Sequence, residues 1–151
     1  MNPVFQLSGK RGLIVGLAND LSIAYGCARM AVQQGASVVT SCANEKALKY
    51  VQPLTDELGV TLHTCNVEEE GQLEALVEKA VAELGGLDFV VHSIAWAPLA
   101  DLHGKTINSS SDGFARAMDV SCHSFARLAK LAAPHMNQGG TMVTMSYLGA
   151  S

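Results

Sequence analysis

The chain has 151 residues, 48% of them hydrophobic and 16% charged, a length and balance that suit one well-packed globular domain. Its formal net charge is −4 and its lysines and arginines are scattered singly, which excludes a basic patch for nucleic acid or an anionic membrane. Met1-Asn2-Pro3-Val4-Phe5 lacks the charged, apolar, small-residue progression of a leader, and no apolar run nears the length of a membrane span, so a cytosolic protein is expected.

From Gly12 to Gly26 the sequence reads as a buried strand, a tight glycine turn and the start of a helix, together a phosphate cradle. The apolar run Leu13 to Val15 suits a strand covered on both faces, and Gly16 lets the backbone turn sharply while leaving room for a ligand. Ser22 is placed to cap a helix opening near Ile23, whose N-terminus attracts anions. Ala24 and Gly26 are small enough for close approach of a pyrophosphate and of the neighbouring strand. Only Gly16 of the three-glycine dinucleotide fingerprint stands in the turn, so local sequence alone leaves open a strand, loop and capped helix that bind nothing.

The first helix runs to about Gln34 and stops at Gly35, and Ala36 to Cys42, with Val38-Val39-Thr40, reads as the second strand. Glu45 to Leu58 is an amphipathic helix ended by Gly59, with Pro53 expected to kink it or split it in two. Val60 to Val67 is the third strand. Glu69 to Leu84 carries Leu73, Leu76, Val77, Ala80, Val81 and Leu84 at helical spacing, closed by Gly85-Gly86.

Leu87 to Ile94, around Phe89-Val90-Val91, is the fourth strand, buried on both faces. Ala95 to Ser110 is a polar loop long enough to suggest a function, its exit capped by Ser111 or Asp112. From there to about His135 the chain reads as mostly helical, with Phe114, Met118, Phe125, Leu128 and Leu131 on or near one face. Gly139-Gly140 then leads into strand five, Thr141 to Ser146.

Strands alternating with helices, without an internal repeat, predict an α/β fold: a doubly wound parallel sheet of Rossmann type, with right-handed crossovers and strand order 3-2-1-4-5. Ligands in such sheets bind at the carboxyl ends of the strands near the switch point, where Gly16, Asn66 and Ser93 fall. The end of strand two, Ser41-Cys42-Ala43-Asn44, offers no carboxylate for ribose hydroxyls before Glu45, which leaves the choice of dinucleotide open.

Cys27, Cys42, Cys65 and Cys122 are widely spaced within apolar segments and are expected to be reduced and structural. His63, His103, His123 and His135 show no metal-ligand spacing, so no metal is expected. His92, beside a strand end, reads as a packed, hydrogen-bonded group rather than a proton donor. Trp96 reads as a pocket wall or loop anchor.

Gly16 followed by Ser22-Ile23-Ala24-Tyr25-Gly26 resembles the nucleotide turn of the enoyl-acyl-carrier-protein reductases, a divergent branch of the short-chain dehydrogenases. His92-Ser93-Ile94-Ala95-Trp96-Ala97-Pro98 is similar to that family's strand-four end and loop, and Ser146-Tyr147-Leu148-Gly149-Ala150 to its strand-five end. The resemblance implies that Ser93, Ile94 and Ala95 line the ribose and nicotinamide side of the cofactor. It sets Asn66-Val67 where the family has an Asp-Val pair beside the adenine. There the Asn66 amide oxygen is able to meet the adenine amino group without charge. Asn66 as a strand-ending turn residue, with Val67 simply packing, stays open.

At Ala43 the family carries glutamine or a basic residue, the basic versions favouring the 2′-phosphorylated cofactor; Ala43 matches neither, and NADH is expected with NADPH as the alternative. Tyr147 matches a family tyrosine near the thioester carbonyl, where a phenol donates to a developing enolate, though it also reads as a tyrosine finishing strand five with a wet hydroxyl.

The family's second tyrosine and its lysine six residues later would follow Ser151, and Tyr25 and Tyr50 sit in helices far from the strand ends. The resemblance thus covers essentially all of this chain but only the first part of the family's fold. It implies one truncated dinucleotide-binding domain over residues 1–151, from a reductase of fatty acid biosynthesis that in its complete form passes hydride from NAD(P)H to an enoyl thioester on acyl-carrier protein. The chain alone is expected to be inactive. The alternatives are a non-catalytic dinucleotide-binding module or another short-chain dehydrogenase. The long helix resembles one used in dimer contacts, and strand five would form an unprotected edge, so a homo-oligomer is expected.

Overall fold

The structure is a computed structural model in which residues 6–148 are described. The Met1 to Phe5 segment, and Gly149 and Ala150 of the strand-five motif, lie outside the described residues. Within them one parallel sheet has the strand order 3-2-1-4-5. Its strands are β1 (Arg11–Leu17), β2 (Ser37–Cys42), β3 (Thr61–Thr64), β4 (Leu87–His92) and β5 (Met136–Thr144).

The direction of each crossover decides which face its helix covers, because parallel connections are right-handed. α1 (Ile23–Gln33) and α2 (Glu45–Leu58) lead outward from β1 to β3, while α3 (Gln72–Leu84) and the pair α4 (Ser111–Met118) and α5 (Ser124–Ala132) lead back across to β4 and β5. Side chains alternate across a strand, so β1 feeds two cores at once. Leu13 and Val15 pack with Leu73 and Val77 of α3 and Leu128 of α5, whereas Ile14 and Leu17 pack with Ala24 and Ala28 of α1 and Val51 of α2. A strand covered on both faces has no polar face, which accounts for the unbroken apolar run.

At the amino ends of the strands the Asp88 carboxylate accepts from the Arg11 backbone N–H and from Asn137 Nδ2, both at 2.8 Å. Those bonds, the Asn137 one foremost, hold the Asp88 carboxyl below its ordinary range. They tie β1, β4 and β5 together and leave the carboxyl ends open for a site.

Several elements differ from the reading of the sequence. α2 passes through Pro53 as one helix rather than two pieces, because Pro53 and Lys49, whose carbonyl it orphans, are both exposed to water. α3 begins at Gln72 instead of Glu69, since the preceding turn ends on Gly71 with φ 79°. β3 is confined to Thr61–Thr64 and β4 ends at His92, two residues before Ile94. β5 starts early, at Met136, and absorbs extra residues around Gly139 and Gly140 as a register shift against β4.

The α4 cap is Ser110, whose Oγ accepts from the Gly113 N–H at 3.0 Å, and not Ser111 or Asp112. The long helix is interrupted by a π turn over Asp119–His123, which rotates its apolar positions. Its buried face is Gly113, Val120, Ser124, Leu128 and Ala132, while Phe114 is 63% exposed and Met118 also faces out. Cys42 and Cys65 are buried and Cys27 half-buried, but Cys122 is exposed and does not pack as a core residue. Burial pushes the Cys65 thiol up to about 11.

Candidate functional site

A cleft of about 580 Å³ opens at the carboxyl ends of β1 to β4. Gly16, Ser22 and Ile23 line it from the first turn, Ala43 from the end of β2, Asn66 and Val67 from the turn after β3, and Ser93, Ile94 and Ala95 from the loop after β4. Residues up to 79 positions apart in sequence meet because parallel crossovers return every strand to the same end of the sheet.

Gly16 is fixed by its surroundings. It has φ 101° and forms the irregularity between the Val15–Ser41 and Leu17–Cys42 pairs, and a Cβ there would overlap the Ser93 carbonyl oxygen. The β1 and β4 turns can approach this closely only with hydrogen at that position. Ser22 occupies the N-cap of α1, yet its side chain does not cap the helix. Its Oγ instead donates to the Asn19 carbonyl at 2.7 Å and accepts from the Ala18 N–H at 3.4 Å. The first turn of α1 also lacks an acidic residue, so its unpaired backbone N–H groups stay available to an anion.

The other small residues of that turn serve elsewhere. Ala24 is buried in the core, and Gly26 has open space where a Cβ would stand, along an apolar groove between α1 and the β4–β5 face. Neither lines the cleft among the residues that do.

At the end of β2, Ala43 and Asn44 line the cleft and the Asn44 side chain is committed to capping α2 through Ala47. The turn after β3 is held by α4 and α5. Arg116 forms a bidentate pair with Glu68, one of whose bonds is Nη2 to Oε2 at 2.8 Å, and Arg127 Nη2 donates to the Val67 carbonyl at 2.7 Å. The Arg116 hydrogen bonds keep the Glu68 carboxyl below its ordinary range. The Arg116 guanidinium also lies 4.2 Å over the Trp96 ring, and Ser121 Oγ both accepts from the Trp96 N–H and donates to the Trp96 carbonyl, at 2.9 and 3.0 Å. Trp96 is thereby both a wall of the cleft and an anchor of its loop.

Sequence reasoning did not single out Arg116, Ser121 or Arg127. Their partners lie 25 to 60 residues away, and the π turn between Arg116 and Arg127 breaks the regular spacing that would have grouped them.

The cleft thus sets a glycine-bulged first turn and an uncapped helix N-terminus opposite two turns of small residues. A sequence model described as Enoyl-(Acyl carrier protein) reductase matches residues 16–151. The chain belongs to the enoyl-acyl-carrier-protein reductase family. It is 41% identical over 145 residues to "Enoyl-[acyl-carrier-protein] reductase [NADH] 2" of Rhizobium meliloti, covering 95% of this chain and 54% of that protein. It is 36% identical to the NADH reductase FabI of Enterococcus faecalis, covering 95% of this chain and 57% of that protein.

The crystal structure of the Anaplasma phagocytophilum reductase in complex with NAD superposes with a TM-score of 0.89 at 38% identity, and that of the Aquifex aeolicus reductase with 0.90 at 38%. Both likenesses cover 95% of this chain, and 55% and 57% of those chains. The chain thus spans about half the length of the relatives it matches.

Within this reductase fold Tyr147 does not join the cleft: it follows β5, is 96% exposed and is absent from the lining. His92 is fully buried. Its Nε2 lies 2.7 Å from Ser124 Oγ and its Nδ1 2.8 Å from Thr144 Oγ1. Ser124 Oγ already donates to the Val120 carbonyl at 2.6 Å, so it accepts from His92, which fixes the proton of the neutral ring on Nε2. Burial lowers the His92 pKa. Among the described residues no group of three or more histidine, cysteine or acidic side chains could hold a metal, and no helix is long and apolar enough to cross a membrane.

Proposed function

We propose that this chain is the dinucleotide-binding unit of a cytoplasmic enoyl-acyl-carrier-protein reductase that uses NADH. The observation that carries the reading is the convergence of four strand ends on one cleft, with a glycine that tolerates no Cβ and a helix N-terminus left uncapped. When bound, NADH supplies the hydride that reduces the β-carbon of a 2-enoyl thioester carried on acyl-carrier protein.

The chain's own residues bind and orient. The α1 N-terminus and the Gly16 turn take the pyrophosphate, the Ala43 to Asn44 turn faces one ribose, and Ser93, Ile94 and Ala95 give a flat wall for the nicotinamide half. NADH is favoured over NADPH because no lysine, and no arginine apart from the Glu68-paired Arg116, is among the cleft-lining residues, so nothing free is placed to meet a 2′-phosphate. Tyr147 is proposed as the donor to the developing enolate, brought to the thioester only in the complete reductase. Phe114 and Met118 on α4, and Val143 on β5, are exposed apolar groups that suit a homo-oligomer.

Calorimetry on the 151-residue chain is expected to show binding of NADH more tightly than NADPH, with no turnover of a crotonyl thioester. Failure to bind either dinucleotide would overturn the reading, and turnover would overturn the proposed inactivity of the chain alone.

A further inference from the structure

Two walls of the cleft leave strands that are not neighbours. The turn after β3 carries Glu68 and the loop after β4 carries Trp96, with β2 and β1 between those strands in the sheet. The parallel ladder fixes the strands but not the segments that leave them. No residue from 97 to 110 is buried, and the hydrogen bonds described for residues 97–109 stay within the loop. The core therefore does not set how far this loop stands from the turn after β3.

That distance is set from α4 and the π turn behind it. Ser121 holds the Trp96 backbone at both its N–H and its carbonyl. Arg116 engages both walls at once: the edge of its guanidinium donates to the Glu68 carboxylate through Nε and Nη2, and its face lies 4.2 Å over the Trp96 ring. Only a planar, forked cation offers an edge to one partner and a face to another; a lysine ammonium offers neither. The Arg116 and Glu68 side chains are 55% and 27% exposed, so their pairing adds little to folding. Its consequence is the width of the cleft.

Resting on the dinucleotide reading above, we infer that Arg116 is a positioning residue of the cleft, its guanidinium clamping the Glu68 turn to the Trp96 loop at the separation that admits a dinucleotide. Glu68 belongs to the same device. A cleft that needed only positive charge would be hindered by that carboxylate, whereas a clamp requires it.

The two accounts predict opposite signs, which NADH titrations of the full chain followed by calorimetry distinguish. Glu68→Gln removes a negative charge from the cleft yet should weaken NADH binding by about three- to fivefold, the scale of a partly exposed ion pair. Arg116→Lys keeps the charge but loses the fork and the flat face, and should weaken binding by about as much. Quenching by acrylamide of Trp96, the single tryptophan, should rise in both variants, while their urea midpoints stay at the wild-type value. Tighter or unchanged NADH binding in Glu68→Gln, full affinity in Arg116→Lys, or unchanged Trp96 quenching overturns the inference and leaves the dinucleotide reading intact. A wild-type chain that binds neither NADH nor NADPH removes both.

Discussion

Gly16 and His92 show how a single residue is bound to its surroundings in two different ways. At Gly16 the backbone conformation and the facing Ser93 carbonyl both exclude a side chain. Gly16→Ala is expected to cost about 2 kcal/mol or more in chemical denaturation and to abolish dinucleotide binding in calorimetry, because relief of the overlap must part the β1 and β4 turns. The glycine was legible in the sequence; the carbonyl that makes it necessary was not, since it lies 77 residues away.

For His92 the constraint is electrostatic. Its folded pKa is lowered by burial from an ordinary value of 6.5, so the unfolded chain takes up the proton first. The stability it contributes is therefore complete above about pH 6.5 and is lost as the pH falls through its depressed folded value. Urea midpoints taken between pH 7.5 and 5 should fall in the wild-type chain and flatten in His92→Gln, which keeps a donor for Ser124. An equal slope in both proteins would locate the titration elsewhere. The shifted carboxyls, at Glu68, Asp88 and Asp101, are lowered from ordinary values that already lie below pH 5 and do not enter this window.

Among the elements, the helices show where pattern reading succeeds and where it stops. The α3 stripe, from Leu73 to Ala80, packs as its spacing requires because one helix face meets one sheet face. In α4 and α5 the same reasoning misplaces Phe114 and Met118, since the π turn at Asp119–His123 adds a residue to the turn and shifts the face by about a quarter of a circle. No local signal announces that turn; it is held from outside, by Ser124 bonded to His92 and Ser121 bonded to Trp96.

Pro53 misleads in the opposite sense, because a helix breaker is tolerated where water satisfies the freed carbonyl. Pro53→Ala should restore a bond from residue 53 to Lys49 and stabilise the chain by about 1–3 kcal/mol, read as a raised urea midpoint. A lowered midpoint would mean that Pro53 stabilises the fold by restricting the unfolded chain.

For the whole molecule, the described residues leave apolar groups bare on α4 and at the β5 edge. β5 is an edge of the sheet, with Val143 45% exposed, and Phe114 and Met118 form an apolar stripe on α4. Self-association is expected, seen as a concentration-dependent mass in light scattering and weakened in the double variant Phe114→Lys, Val143→Lys. A clean monomer at high concentration would count against it.

The sequence by itself determined the α/β class and, with the resemblance of its motifs to the reductase family, the strand order and the strand ends at which Gly16, Asn66 and Ser93 lie. Apolar runs, glycine punctuation and right-handed crossovers are local or topological, and they leave little choice about which strand ends lie together. Only the tertiary structure decided that Ser22 leaves α1 uncapped, that Arg116 and Arg127 secure the turn after β3, that the Asn66 amide oxygen accepts the Glu68 N–H and that Tyr147 stands apart from the cleft. Each of those depends on a hydrogen bond or a distance between side chains and their partners in space, and residue spacing carries no record of orientation.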